Sequence, residues 1–276
     1  SVVLTSEPTA NVTLTVSDND SSEVLFSPTS LVFSKDNWSV AQWVTLTGVD
    51  DNVSDDNQST LLTLSLSNGD SKYDNSSLSP KTVVVTTTDN DSANFLVSQS
   101  TATVSENGTL TDSLSVVLTS EPTANVTLTV SDNDSSEVLF SPTSLVFSKD
   151  NWSVAQWVTL TGVDDNVSDD NQSTLLTLSL SNGDSKYDNS SLSPKTVVVT
   201  TTDNDSVGLL ISKDNVTVDE RTGTDNFTVR LQSEPTDNVT LLLTVSADNE
   251  SSVSPATLSF GPDNWSEAQT VVVSGV

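Results

Sequence analysis

The segment Leu176-Thr177-Leu178-Ser179-Leu180 alternates large apolar side chains with small hydroxyl side chains. A period of two places the leucines on one face of an extended strand and the hydroxyls on the other. The same alternation recurs in Asn125-Val126-Thr127-Leu128-Thr129-Val130 and in Trp157-Val158-Thr159-Leu160-Thr161. No segment sustains a helical period, so the sequence predicts a chain of short β-strands.

Further short runs around these three complete seven to nine predicted strands between residues 93 and 206. Clusters of Asp, Asn, Gly, Ser and Pro separate the runs, as turns require. So many short strands predict an all-β fold of tandem immunoglobulin-like antiparallel β-sandwiches. The additional runs are Thr101-Ala102-Thr103-Val104, Ser115-Val116-Val117-Leu118, Glu137-Val138-Leu139-Phe140, Leu145-Val146-Phe147 and Thr196-Val197-Val198-Val199-Thr200.

The chain is internally repeated, because residues 1–92 recur letter for letter as residues 115–206. A third, diverged copy follows, in which Ser233-Glu234-Pro235-Thr236 corresponds to Ser120-Glu121-Pro122-Thr123. A period of this length suits one autonomous domain. We expect 1–92 to be a partial unit without its first strands, 93–206 a complete unit, and 207–276 a partial unit without its last strands. The sequence then represents a window of a longer array.

The composition is strongly acidic, with 9 basic against 38 acidic residues and a formal net charge of −29. Binding to phosphate backbones needs clustered Lys and Arg, so we expect no nucleic-acid partner. The chain has no Cys, Met or His, which removes thiol chemistry and the usual nitrogen and sulfur ligands of transition metals. No apolar run approaches the roughly 20 residues that cross a bilayer. We therefore expect no membrane contact either.

Asparagine is followed two positions later by Ser or Thr in 20 of its 23 occurrences. Ser and Thr are 88 of the 276 residues, so chance would give about a third. No middle residue is Pro, and we predict N-linked glycans and a secreted or cell-surface protein. The alternative is that Asn, Asp and Ser simply share turns. The candidate sites are Asn11, Asn37, Asn52, Asn57, Asn75, Asn107, Asn125, Asn151, Asn166, Asn171, Asn189, Asn215, Asn226, Asn238, Asn249 and Asn264.

The tryptophans divide into two kinds by register. If Val158 and Leu160 face the core, Trp157 faces outward, and its counterpart Trp43 does so too. These two are candidates for contact with a sugar or a partner chain, although a solvent-exposed side chain without a binding role is an equal alternative. Trp38, Trp152 and Trp265 follow the sequon Asn in all three copies. They are interpreted as the rim of the core at a strand entrance.

An ordered set of stretches resembles the Calx-beta type of calcium-binding domain, including its tandem forms in large microbial surface proteins. Thr103-Val104-Ser105-Glu106-Asn107-Gly108 is similar to the opening strand of that family. The middle and the acidic exit are similar to Phe140-Ser141-Pro142, Leu145-Val146-Phe147, Asn151-Trp152, the run from Gln156 to Asp165, and Thr200-Thr201-Thr202-Asp203-Asn204-Asp205. The resemblance covers the whole of 93–206 and essentially all of the partial units.

The resemblance implies that acidic residues from the start, middle and exit of the unit converge at one end and bind Ca²⁺. Calcium prefers six to eight oxygen ligands and tolerates irregular loops. The alternative is that these residues are solvated acidic turns. The number of ions is left open, because Asp169-Asp170-Asn171 departs from the Gly or Glu that relatives often carry. The implied ligands are Glu106, Asp164, Asp165, Asp169, Asp170, Asp203 and Asp205, then Asp50, Asp51, Asp55, Asp56, Asp89, Asp91 and Glu220, with Asp132 and Asp134 as additional candidates.

Three classes of function were weighed against these features. Identical neighbouring copies favour a structural or adhesive array stiffened by calcium, whose partners are neighbouring units and other copies in a filament. A ligand-binding module that uses Trp43 and Trp157 with repeat avidity is the alternative. Catalysis is disfavoured, because the adjacent Asp164 and Asp165 lack the apolar pocket that raises the pKa of one carboxyl. We expect the protein not to be an enzyme.

Overall fold

The computed structural model describes residues 1–67, 69–73, 78–181, 183–188, 192–220, 222–246 and 250–276. Every regular element in these ranges is a β-strand, and none of these residues is helical. The all-β prediction is therefore confirmed. No stretch of these described residues forms an apolar helix of membrane-spanning length.

Twenty-one strands follow in chain order. In residues 1–92 they are β1 (Val12–Ser17), β2 (Val24–Ser27), β3 (Ser30–Phe33), β4 (Thr45–Gly48), β5 (Gln58–Ser67) and β6 (Lys81–Thr87). In residues 93–206 they are β7 (Phe95–Val97), β8 (Thr101–Ser105), β9 (Thr111–Leu118), β10 (Val126–Ser131), β11 (Val138–Ser141), β12 (Ser144–Phe147), β13 (Gln156–Gly162), β14 (Gln172–Ser181) and β15 (Lys195–Thr202). In residues 207–276 they are β16 (Leu209–Ile211), β17 (Thr224–Leu231), β18 (Val239–Leu242), β19 (Ser251–Ser254), β20 (Thr257–Phe260) and β21 (Gln269–Gly275).

Residues 93–206 form two sheets, with strand orders β12-β10-β14-β15-β8 and β11-β13-β9-β7. All pairs within them are antiparallel except β15 with β8, which run parallel. This parallel pair is a feature that the alternation could not reveal, because it depends on a long crossover rather than on local pattern. It aligns Thr202 with Ser105, so the ends of both strands lie side by side.

The predicted alternation matches the burial of the strands. In β14 the leucines Leu176, Leu178 and Leu180 are buried, and Thr177 and Ser179 between them are half-buried. They join one buried cluster that runs from Phe95 to Val199. A second buried cluster is formed by residues from the range 4–73. A third is formed by residues from the range 229–260 together with Val271. The described core residues thus group into three separate clusters.

The two identical copies provide an internal comparison of the same strand in two settings. Val197 in β15 is completely buried, whereas its counterpart Val83 in β6 is 46% exposed. In the central sandwich β8 pairs with β15, while β6 has β5 as its neighbour in the sheet and is the last strand in the order β3-β1-β5-β6. Burial at this position is therefore decided by the neighbouring strand rather than by the residue itself.

Candidate metal centre

One end of the central sandwich gathers acidic residues from three parts of the chain. Glu106 follows β8 and Asp203 follows β15, and the parallel register places them side by side. The Glu106 N–H donates to the carbonyl of Thr202 at 3.2 Å, which fixes this alignment. One carboxylate oxygen each from Glu106, Asp203 and Asp205 lies within 4.8 Å of the others. Three ligand oxygens so close together form a candidate cation site.

Glu106 is the most unusual carboxyl of this group, because its residue is only 3% exposed. Burial raises its pKa to about 7, and the neighbouring charges of Asp165, Asp203 and Asp169 add to the effect, while the N–H of Asn204 opposes it. The pKa of Asp205 is also raised, mainly by burial and then by Asp203. Without a cation, Glu106 is only partly ionised at neutral pH.

The exit segment is tied to the middle loop through Asp203. Its Oδ2 accepts a hydrogen bond from the Asp170 N–H at 3.0 Å, and its Oδ1 accepts one from the Asp205 N–H at 2.6 Å. Asn171 Oδ1 accepts from the Asp203 N–H at 3.2 Å. Asp170 itself has a φ of 65°, in the left-handed region that Asp tolerates better than most residues. Asp170 therefore occupies a backbone position at which Gly would be unstrained.

Glycine 162 allows the opening strand to approach this end. A Cβ at Gly162 would lie 2.4 Å from the carbonyl oxygen of Ser105. The equivalent Gly275 stands in the same relation to Asp219, where a Cβ would lie 2.2 Å from the carbonyl oxygen. Only a residue without Cβ permits this backbone approach. The peptide that precedes Glu106 is therefore positioned by a glycine of β13.

A second acidic group involves a residue that the sequence analysis did not select. In the first copy, one oxygen each from Glu23, Asp51 and Asp55 lies within 4.8 Å of the others. Burial raises the pKa of Glu23, followed by the charges of Asp55, Asp20 and Asp51. Glu23 immediately precedes β2, and its counterpart Glu137 was predicted to begin a strand rather than to bind a cation. The sequence feature that could have identified it is a Glu at the entrance of an otherwise apolar strand, and this feature recurs at the entrance of β11.

The counterpart of Glu23 in the complete copy is Glu137. Burial raises its pKa, and the charges of Asp169, Asp134 and Asp165 raise it further. Asp169 Oδ1 is buried and has no hydrogen-bond partner. A buried carboxylate oxygen without a partner is costly unless a cation or water satisfies it. The donor set is all oxygen, so the residues present fit a hard cation such as Ca²⁺.

The remaining predicted ligands occupy different places. Asp134 Oδ1 accepts from the N–H and Oγ of Ser136, so its carboxylate caps a turn. Asp132 is half-buried at the same loop, and Asp164 Oδ1 accepts from Asn204 Nδ2 at 3.4 Å. Glu220 is exposed.

The first copy repeats the exit geometry of the second. Asp89 Oδ2 accepts from the N–H groups of Asp55 and Asp56 at 3.1 and 2.9 Å, and Oδ1 accepts from Asp91 at 2.7 Å. Burial raises the pKa of Asp91, followed by the charges of Asp89, Asp50 and others. Asp56 instead pairs with Lys186 of the second copy at 2.7 Å.

The predicted sequons are mostly on the surface. Asn75, Asn189 and Asn249 lie outside the described residues. Among the others, Asn37, Asn151 and Asn264 are half-buried, and their Nδ2 atoms donate to strand carbonyls at 3.3 to 3.4 Å. The other candidates are exposed, namely Asn11, Asn52, Asn57, Asn107, Asn125, Asn166, Asn171, Asn215, Asn226 and Asn238.

The tryptophans take the orientations that their registers predict. Trp43 and Trp157 are 71% and 58% exposed, whereas Val158 and Leu160 beside Trp157 are fully buried. Trp38, Trp152 and Trp265 are partly buried against the three separate clusters. The exposed pair is free for contact with another molecule.

No family model matches the chain, and no curated protein matches it. Among solved structures it is similar to the CBD12 calcium-binding domains of CALX1.2 and CALX1.1, with 15% and 16% identity and TM-scores of 0.32. These matches cover 66% and 65% of this chain and 74% of each of those chains. It is also similar to domains 1–6 of the surface layer protein SbsC, with 14% identity, 95% of this chain, 28% of that chain and a TM-score of 0.33.

TM-scores this low carry no argument about function. The fold assignment rests on the strands, sheets and buried clusters described above. Membership of the Calx-beta family stays a prediction from the ordered sequence motifs, and the acidic end stands on its own geometry.

Proposed function

We propose that this chain is a structural or adhesive repeat array of a secreted or cell-surface protein, stiffened by Ca²⁺ and carrying N-linked glycans. The observation that carries the calcium part is the close group of Glu106, Asp203 and Asp205, together with the unpartnered Asp169 Oδ1 nearby in the same acidic end. The letter-for-letter repeat supports the array, because duplication makes an array longer but adds little to a protein that works through a single active centre.

The chain's own residues would hold the ion at the loops that follow β8, β13 and β15. Bound calcium supplies positive charge where several carboxylates otherwise repel each other. Glu106 would supply a ligand from the opening strand. Asp165 and Asp169 would supply ligands from the middle loop, and Asp203 would supply one from the exit segment. Tying three loops together would restrict their motion at the end of the sandwich. A site of this kind stabilises the folded state by mass action, because the unfolded chain does not assemble it.

The direct test is calcium titration of the chelator-treated chain, followed by calorimetry, thermal unfolding and small-angle scattering. We expect saturable binding, a higher thermal midpoint and a longer maximum dimension with calcium. Magnesium at equal concentration serves as the control, since it demands a smaller octahedral site. If the midpoint and the maximum dimension are the same with calcium and with chelator, the acidic residues are only solvated turns.

A second candidate function rests on the exposed tryptophans. Trp43 and Trp157 lie at equivalent positions of two identical copies, so a ligand with two binding groups would gain avidity. A glycan array screened with the wild-type chain and with Trp43→Ser/Trp157→Ser tests this role. Binding that disappears in the double variant would favour a binding module over a purely structural array. The proposal contains no catalytic step.

A further inference from the structure

Two backbone hydrogen bonds join different copies of the repeat at equivalent positions. The Glu121 N–H donates to the carbonyl of Asn52 at 2.6 Å, and the Glu234 N–H donates to the carbonyl of Asn166 at 2.7 Å. Both contacts are parallel β-bridges, Val53 with Glu121 and Val167 with Glu234. Asn52 and Asn166 are the same repeat position, and each Glu stands in a Ser-Glu-Pro-Thr segment. The same contact therefore forms twice, and it forms even with the diverged third copy.

The Ser-Glu-Pro-Thr segment is held firmly by its own copy. The Tyr187 hydroxyl accepts from the Ser120 N–H at 2.9 Å and donates to the Ser120 carbonyl at 2.8 Å. Asp184 Oδ2 accepts from the N–H and the hydroxyl of Thr123 at 2.6 and 2.7 Å. Burial raises the pKa of Asp184, but hydrogen bonds from Lys186 and Thr123 outweigh this and leave it lowered. The N–H of Glu121 lies between these two fixed points.

The loop that holds the segment also supplies a second contact. Lys186 follows Asp184 in that loop, and its Nζ pairs with Asp56 Oδ2 of the preceding copy at 2.7 Å. Asp56 has a φ of 67°, and it lies four residues from Asn52 in the same loop. One loop of the first copy therefore meets the second copy through a backbone carbonyl and a carboxylate. An exposed ion pair contributes little alone, but it adds orientation to the backbone contact.

The first copy contains the same receiving surface without a preceding repeat in this sequence. Ser6, Tyr73, Thr9 and Asp70 make the same internal hydrogen bonds as their counterparts. Lys72, however, is exposed, whereas Lys186 is half-buried. The segment therefore makes the same internal contacts in both copies, and the lysine that pairs with Asp56 is the more buried of the two.

We propose that successive repeats are joined by a two-point clasp. One side of the clasp is the Ser-Glu-Pro-Thr segment with its loop lysine, which supply the hydrogen-bond donors. The partner that it fits is the Asn-Val-Ser-Asp-Asp loop of the preceding repeat, which supplies the acceptors. The clasp orients neighbouring repeats through direct protein contacts and needs no cation. It goes beyond the proposed function, since it assigns the joint to residues outside the two compact acidic groups, Glu106 with Asp203 and Asp205 and Glu23 with Asp51 and Asp55.

The chain has no cysteine, so two spin labels can be placed cleanly. Val40→Cys and Val154→Cys occupy equivalent sites, each 59% exposed, in the first and second copies. Pulsed electron resonance would measure the label-to-label distance distribution in chelator and again with calcium. The test variant combines Glu121→Pro, which removes the N–H donor, with Lys186→Ala. The matched control combines Glu7→Pro with Lys72→Ala, which makes the same local changes on the open surface.

In chelator, we expect a narrow distribution for the parent and the control, and at least a twofold broader one for the test variant. Circular dichroism of all three chains checks that the strands remain. A test variant that superimposes on the parent, or a control that broadens equally, would overturn the clasp. Calcium titration of the same chains is read separately, so a failure of the cation proposal leaves this result unaffected.

Discussion

Ser105 and Thr202 are paired in the parallel strands β8 and β15, and this register brings the following residues, Glu106 and Asp203, within 4.8 Å through their carboxylates. The candidate cation site depends on that pairing. A shift of one residue would turn one strand over relative to the other and separate the acidic side chains.

Glu106→Gln should change the pH dependence of stability in chelator. The folded-state pKa of Glu106 is about 7, above its unfolded value, so the folded state binds more protons between roughly pH 4.5 and 7. Its contribution to stability is therefore lost as pH rises through 7. At pH 8 we expect the variant to be more stable than the parent by roughly 2–3 kcal/mol, and at pH 4 about equal.

Urea unfolding in chelator at pH 4, 6 and 8 measures this difference, with the exposed Asp150→Asn as the control. With saturating calcium at pH 8 the order should reverse, because the variant loses a charged ligand. A variant that is less stable than the parent at pH 8 in chelator would contradict the assignment of Glu106.

Glu137→Gln should remove or weaken a second cation site in the complete copy. The reason is that Glu137 is the counterpart of Glu23, whose group with Asp51 and Asp55 is compact in the first copy. Calorimetric titration should show fewer bound calcium ions or an affinity lower by about tenfold. Asp134→Asn is the control, since its carboxylate already caps Ser136. Equal titrations for the two variants would argue against a site at Glu137.

Gly162→Ala should destabilise the chain by about 1–3 kcal/mol, because the added Cβ would collide with the Ser105 carbonyl. Gly48→Ala is a matched control in the identical sequence, where the new Cβ would lie 3.2 Å from Thr87 Cγ2. Thermal unfolding of both variants measures the difference, and calcium affinity should fall for Gly162→Ala. Similar midpoints for the two variants would show that the strand approach is unimportant.

Tyr187→Phe should lower the free energy of unfolding by about 1–3 kcal/mol, because the buried N–H and carbonyl of Ser120 lose their partner. Tyr73→Phe removes the same hydroxyl from Ser6, which is exposed, so water can replace it. We therefore expect Tyr73→Phe to lower the free energy of unfolding by less than Tyr187→Phe does. Denaturant unfolding of both single variants distinguishes them, and equal losses would mean that the surroundings of Ser120 do not matter.

Peptide mapping of native material tests the sugars. We expect N-linked glycans on exposed sequons such as Asn11, Asn107 and Asn125. Lower occupancy is expected at Asn151, because its Nδ2 donates to the Val146 carbonyl and its Oδ1 accepts from Ser148. Unmodified asparagines throughout would remove the support for a glycosylated surface protein.

Much of the fold followed from the period of two. The alternation identified the strands around Leu128, Val158 and Leu178 and placed Trp157 outward. It missed β7, which is only three residues long, and the parallel pairing of β8 with β15. Most of the acidic residues in the two compact groups were also predicted. Glu23 and Glu137 were missed, because their role comes from loops that are far away in the sequence.

By itself, the sequence determined the strand class, the repeat, the oxygen-only donor set and which faces are apolar. These depend on local pattern and on composition, which a linear chain displays directly. Only the tertiary structure decided that Glu106 lies beside Asp203, that Asp169 Oδ1 is buried without a partner, and that Glu121 docks on Asn52. Such relationships depend on strand order and crossovers, because two identical segments such as those of Val83 and Val197 differ in burial when their neighbours differ.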